Sequence, residues 1–276
     1  MPDETHQQTP PQDMPTPLDS TFAETGEPPP RVWTLRDLLL FIAFVPAGLF
    51  TANILVLLGY RLLQPITDWR LARQQLSIDP FFLLALQMVF YGLMLAFIFF
   101  LVTVDHRQPF WPTLRWRRIT VRQALGCLGG GALLTVAIAL LPAVLPDTNH
   151  FPLENLFSSR AAAYALGTFA ILVAPFMEEL IFRGILFGIF ESRVGLRFAI
   201  LITAILFGGL HVPEYWGAWN HMFLIFVVGL VFSLARGMSG SLAPSVFLHM
   251  GYNGSMMIAL FVSTAHFRNL NALLAH

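Results

Sequence analysis

The chain has 276 residues, of which 56% are hydrophobic and only 12% are charged. An ordinary soluble domain carries about 25% charged residues, so this chain lacks the polar surface of a soluble protein, and its apolar excess has to face a lipid bilayer. Sixteen basic residues balance sixteen acidic residues, and a chain without excess positive charge is not expected to bind nucleic acid.

Residues 1–30 differ in composition from the rest of the chain. They are rich in Pro, Thr and Gln, and they hold acidic residues but no Arg or Lys. This composition is typical of a disordered, solvated tail, and it lacks the basic start and apolar core of a signal peptide. The sequence therefore predicts an acidic, Pro-rich tail at 1–30 and a transmembrane helical domain at 31–276.

Seven hydrophobic runs follow the tail, and about 20 apolar residues span a bilayer as an α-helix. The fourth run is the longest and contains charged residues, whereas the fifth and sixth runs are short. The charged interruptions have no counterpart in the first half, which argues against a transporter built from inverted repeats. The sequence predicts an all-α, polytopic bundle of about seven membrane helices, at 35–58, 81–104, 121–145, 161–190, 198–211, 222–235 and 242–262.

Arginines between the runs predict the orientation, because positive residues are retained on the cytoplasmic side. The loop 105–120 is rich in arginine, and Arg193, Arg197 and Arg236 belong to short loops that fall on the same side. Arginines between the first two runs oppose this scheme. We expect the tail and the loop 105–120 to face the cytoplasm, and the protein to reside in a bacterial inner (plasma) membrane.

Ionisable side chains interrupt the fourth run, and each costs about 2.5–3.5 kcal/mol to insert, so they indicate function. Glu179 and Arg183 are spaced i, i+4 and can form an ion pair within the helix. Glu178 points about 100° away from Glu179 along the helix. We therefore assign Glu179 and Arg183 a structural role and leave Glu178 available for proton chemistry.

Two further i, i+4 pairs lie on later helices. Phe207 and His211 end the fifth run, and His249 and Asn253 lie within the seventh. Counted from the nearest loop, Glu178 and His211 lie at nearly equal depth in the membrane, and His249 lies somewhat shallower. The sequence therefore allows Glu178, the two histidines and Asn253 to converge in one buried cavity.

The ordered motifs Glu-Glu-x-x-x-Arg, Phe-x-x-x-His and His-x-x-x-Asn resemble those of the CPBP family of intramembrane glutamate proteases. This family includes the type II CAAX prenyl endopeptidases and the Abi proteins. The matching residues are Glu178, Glu179, Arg183, Phe207, His211, His249 and Asn253. The resemblance implies a protease core at about 160–262 that hydrolyses peptide or protein substrates, including membrane-anchored ones.

The resemblance also implies a role for each polar residue. Glu178 with His211 would activate a water, and His249 with Asn253 would stabilise the oxyanion. The residue types suit these roles, because a carboxylate in an apolar site serves as a general base and N–H groups serve as oxyanion donors. Alternatively, Glu178, His211 and His249 could hold one Zn²⁺ as in a metalloprotease, although no His-Glu-x-x-His motif is present.

Two other functions remain open at this stage. A proton-coupled transporter could use the same glutamate and histidines as a relay. A non-catalytic immunity or binding protein could keep the fold without the chemistry. The sequence does not distinguish a prenylated CAAX substrate from another membrane peptide.

Overall fold

The structure, a computed structural model, describes residues 32–63, 75–141, 156–213 and 215–270. The predicted tail at 1–30 and the end of the third predicted run, 142–145, lie outside these residues. The described parts contain helices and no strand. The helices are α1 (Leu35–Leu63), α2 (Pro80–Asp105), α3 (Phe110–Thr113), α4 (Val121–Leu140), α5 (Arg160–Val194), α6 (Leu196–Leu210), α7 (Trp219–Ser239) and α8 (Leu242–Ser263).

Six of these helices are long and apolar enough to cross a membrane. The chain is therefore a multi-pass integral membrane protein. Helix α6 occupies the position of the fifth predicted run, but its 15 residues fall short of a full crossing. The sixth predicted run, 222–235, is shorter than the helix at that position, because α7 has 21 residues. The ends of α7 are polar, so the hydropathy pattern ends before the helix does.

Apolar and polar side chains occupy different parts of the bundle. Large apolar residues such as Phe50, Leu133 and Val262 are exposed along the spans, where they can contact lipid. Apart from Asp37, the buried polar side chains of the described residues lie in α5 to α8 or at their ends. The polar interior of the protein therefore lies in the second half of the chain, where the hydrophobic runs contain ionisable residues.

Helix ends follow local sequence signals. Asp79 accepts hydrogen bonds from the backbone N–H groups of Phe81 and Phe82 at the start of α2. Thr120 and Gln123 form a capping box at the start of α4. Gly195 adopts a φ of 84° between α5 and α6, a conformation that glycine accepts without strain. This turn places α6 directly after α5.

Helices α4 and α8 approach each other closely through two glycines. A Cβ atom on Gly251 would overlap the backbone oxygen of Leu128, and one on Gly131 would overlap the backbone oxygen of Leu248. Small residues allow such backbone contact between membrane helices. The position of α8 relative to α4 therefore depends on the absence of side chains at these two sites.

Replacing Gly251 by Ala is expected to lower the thermal unfolding midpoint in detergent. The added methyl group meets rigid backbone atoms, and overpacking of this kind costs about 1–3 kcal/mol. Gly129→Ala is the control. Gly129 lies on α4 near the contact with α8, but nothing lies within 4 Å of a Cβ atom placed on it. Equal midpoints for the two variants would contradict the close contact of α4 and α8.

Candidate active site

Helix α5 changes its winding around the two adjacent glutamates. Glu178 and Glu179 end a short α-helical segment, which π turns flank on both sides. Pro175 near the start of this segment has no N–H to donate, and wider turns are a common relief for the lost hydrogen bond. The π turns are Phe169–Val173 and Leu180–Leu186.

Glu179 is fully buried and contacts two cationic or ionisable partners. Arg183 Nη1 donates to its Oε1 at 2.8 Å, and His249 Nδ1 lies 3.0 Å from the same oxygen. The ion pair that the i, i+4 spacing allows is therefore present. The sequence did not indicate the second contact, which makes Glu179 an orienting partner of His249 as well as a member of an ion pair.

Arg183 is also fully buried, and three helices supply its partners. Its Nη2 donates to the backbone oxygen of Gly229 at 2.7 Å, and its Nε donates to Ser233 Oγ at 3.3 Å. The guanidinium lies 4.6 Å from the centre of the Phe207 ring, a favourable cation–π distance. Arg183 therefore fixes α5 against α6 and α7.

A second buried arginine corrects a prediction from the sequence. Arg236, placed in a cytoplasmic loop by the hydropathy pattern, lies on α7 and is only 1% exposed. Its Nε donates to the backbone oxygen of Arg183 at 3.0 Å. The wide π turn of α5 leaves this carbonyl accessible, so the arginine is buried with a hydrogen bond that a regular helix would not offer.

Glu178 faces the interior with a side chain that is 14% exposed. The hydroxyl of Tyr91 on α2 donates to its Oε1 at 3.3 Å, and His249 Nε2 lies 3.8 Å from its Oε2. The two nitrogens of His249 thus face two different carboxylates. Glu178 and Glu179 point in different directions, as predicted, yet both meet the same imidazole.

The two predicted histidines pack on one aromatic ring. The Phe207 ring centre lies 5.7 Å from that of His249 and 5.0 Å from that of His211. His211 follows the last residue of α6, and its Nδ1 lies 2.9 Å from the backbone oxygen of Phe207. Phe207 therefore brings the two imidazoles to one region, and of these two His249 is the one that lies close to a Glu178 oxygen, at 3.8 Å.

Asn253 lies one helical turn after His249 on α8. Its Nδ2 donates to the backbone oxygen of Ala170 at 2.8 Å, within the first π turn of α5. An amide group has two N–H donors, so this bond leaves one of them for another acceptor. The contact fixes the orientation of the Asn253 side chain near the helix that carries Glu178.

The predicted zinc ligands do not form a compact metal site. Among the described residues, the one group of three His, Asp or Glu ligand atoms within 4.8 Å of one another consists of Asp37, Asp105 and His106. Glu178, His211 and His249 are not such a group, although zinc–ligand bonds of about 2.0–2.2 Å require close donors. The donor set therefore does not fit a zinc ion in this arrangement.

Tyr91 is the site residue that the sequence does not reveal. A tyrosine in an apolar run resembles any interfacial or core aromatic residue, and no motif includes it. Only its burial, at 6% exposed, together with its bond to Glu178, separates it from the other aromatic residues of α2.

Comparisons with known proteins bear on the same segment. Residues 160–255 match the model of the family described as type II CAAX prenyl endopeptidase Rce1-like. The chain is 32% identical over 127 residues to the Escherichia coli protein named "Uncharacterized 24.3 kDa protein". The aligned region covers 45% of this chain and 58% of that protein. No solved structure matches the chain.

A second relative is the Bacillus subtilis (strain 168) protein named "Putative membrane peptidase YdiL". It is 29% identical over 87 residues, which covers 32% of this chain and 34% of that protein. The chain thus spans less than two thirds of the length of either relative. The family match begins at the first residue of α5 and ends within α8, so it includes all three motifs. The resemblance indicated by the motifs is confirmed, because this segment of the chain is similar to the Rce1-like family of type II CAAX prenyl endopeptidases.

Proposed function

We propose that this chain is an intramembrane endopeptidase in which Glu178 and His211 activate a water and His249 and Asn253 stabilise the oxyanion. The observation that carries the proposal is the position of Glu178 opposite His249 Nε2, at 3.8 Å, inside an apolar bundle. A carboxylate and an imidazole buried together in a membrane are costly to maintain without a use.

The charges around His249 support its role as a donor. His249 lies between Glu178 and Glu179, and Arg183 also pairs with Glu179. The proposed role requires an imidazolium, because only that form has two N–H donors. With Nδ1–H donating to Glu179, Nε2–H is directed to the reacting groups, where it can bind an oxyanion.

The proposed reaction begins with the attack of water on a peptide carbonyl. Glu178 accepts a proton from the water, which His211 orients, and the resulting hydroxide forms a bond to the carbonyl carbon. The carbonyl oxygen becomes an oxyanion, stabilised by His249 Nε2–H and by the Asn253 N–H that Ala170 does not use. Glu178 then returns the proton to the amide nitrogen, the C–N bond breaks, and an amine and a carboxylic acid are released.

The substrate class that fits this site is a peptide presented from the membrane. The reacting groups lie on membrane helices, and the aromatic and aliphatic surroundings favour apolar segments. Membrane-anchored proteins, prenylated CAAX proteins among them, therefore make up the proposed substrates.

Comparison of new protein termini in cells tests the proposal. Cells that express the wild-type chain are expected to contain cleaved termini that are missing from cells expressing Glu178→Gln at the same level. Glu191→Gln is the control, because Glu191 lies on the same helix but pairs with Arg115 near its end. Identical sets of termini for the wild type and Glu178→Gln would contradict a peptidase function.

Removal of metal ions is expected to leave cleavage unchanged. The proposed reaction uses only protein side chains, and the ligand atoms of Glu178, His211 and His249 do not all lie within 4.8 Å of one another. The measurement is the cleavage rate before and after dialysis against 1,10-phenanthroline, with the metal content determined by mass spectrometry. A loss of activity that added Zn²⁺ restores would show that the ligands assemble around a metal and would replace this mechanism.

A further inference from the structure

Tyr91 lies on α2, outside the segment that matches the Rce1-like family. Its side chain nevertheless reaches the centre of the candidate site, where the hydroxyl donates to Glu178 Oε1 at 3.3 Å. The two residues are 87 positions apart in sequence. A contact between helices so distant in the chain depends on the specific packing of α2 against α5.

Two aromatic neighbours fix the direction of the Tyr91 ring. Phe169 on α5 stacks on it with ring centres 5.9 Å apart and ring planes 15° apart, and Phe90 lies beside it. Phe169 also begins the π turn before the glutamates. The helix that carries Glu178 therefore also holds the ring whose hydroxyl binds Glu178.

We propose that Tyr91 is a positioning residue for the proton chemistry of Glu178. Its hydroxyl holds Oε1, so that Oε2 remains directed to His249 and to the attacking water. The inference rests on the proposed function in one respect: Glu178 is the group that accepts the proton.

Several other charged groups act on Glu178. His249 faces its Oε2 from α8, while Glu179 and Arg183 lie on α5. Tyr91→Phe leaves these groups unchanged, and also His211, which follows α6. The variant also retains the ring that stacks on Phe169. Any change in the infrared band of Glu178 therefore reports the missing hydroxyl group.

Infrared difference spectroscopy of the purified full chain tests the inference without a substrate. Titration with pH protonates buried carboxylates, and the carbonyl band that is absent in Glu178→Gln belongs to Glu178. In Tyr91→Phe, we expect this band to shift in frequency, because the Glu178 carboxyl group loses the hydrogen bond from the Tyr91 hydroxyl. Tyr164→Phe is the control, since Tyr164 is 48% exposed.

Cleavage provides the second measurement, with a fluorogenic peptide built on a cleavage sequence from the terminus comparison. We expect kcat to fall about tenfold in Tyr91→Phe while KM stays unchanged, because the hydroxyl orients Glu178 and does not bind the peptide. An unshifted carbonyl band or a wild-type kcat would overturn the role of Tyr91. Wild-type cleavage by Glu178→Gln would instead overturn the proposed function, so the two failures are distinguishable.

Discussion

Glu178→Gln is expected to lower kcat by about 10²–10⁴-fold, the contribution of a general base. The amide retains the shape of the carboxylate and can still receive the hydrogen bond from Tyr91. It cannot accept the proton of the attacking water at neutral pH. The loss therefore belongs to the chemical step, and the bundle is expected to remain folded.

Steady-state cleavage of the same fluorogenic peptide measures this effect. Glu191→Gln controls for the loss of one negative charge from α5, because the Glu191 side chain is 24% exposed and pairs with Arg115 at 3.2 Å. We expect its kcat to stay close to that of the wild type. If Glu178→Gln retained wild-type turnover with an unchanged thermal midpoint, the site would not be catalytic.

Arg183→Met is expected to have the largest effect on stability, about 3–5 kcal/mol in the free energy of unfolding. The substitution leaves Glu179 buried without its ion-pair partner. It also removes the donors to Gly229 and Ser233 that join α5 to α7. Methionine fills a similar volume, so the loss reflects the uncompensated charge and the missing hydrogen bonds rather than an empty space.

Two comparisons separate this charge effect from a general loss of packing. The double variant Glu179→Gln with Arg183→Met removes both charges, and we expect it to be more stable than Arg183→Met alone. Arg36→Met breaks an ion pair with Asp105 in which the Arg36 side chain is 65% exposed, so its cost should stay below about 1 kcal/mol. Unfolding in detergent measures all three, and equal losses would contradict the buried-pair interpretation.

Much of the fold is predictable from the sequence because the chain spans a membrane. Because lipid requires every spanning segment to satisfy its own backbone hydrogen bonds, long apolar runs become helices of nearly fixed length. Helices α1, α2 and α8 begin and end close to the predicted runs. The error at α7 arose where polar residues continue a helix, as with Arg236, whose partner is a carbonyl that only the folded bundle supplies.

The candidate site was predictable where spacing alone determines proximity. The i, i+4 rule indicated the Glu179–Arg183 pair because both residues lie on one helix. The contact of His249 with Glu179 was not predictable, since it requires the rotation of α8 against α5 and the π turns around the glutamates. Tyr91 was missed for the same reason, because its partner lies on another helix. The shared role of Phe207 as a platform for both histidines likewise depends on the packing of α6 against α8.

The glycine contact between α4 and α8 makes the position of His249 depend on a helix that supplies no side chain to the candidate site. Helix α4 contributes no polar group to the reacting centre and lies outside the family match, yet its backbone touches α8 at Gly251, two residues beyond His249. A bulkier residue at Gly131 or Gly251 would push α8 outward and carry its imidazole away from both carboxylates. The spacing between His249 and the two carboxylates therefore depends on α4, a helix to which the proposed mechanism assigns no role.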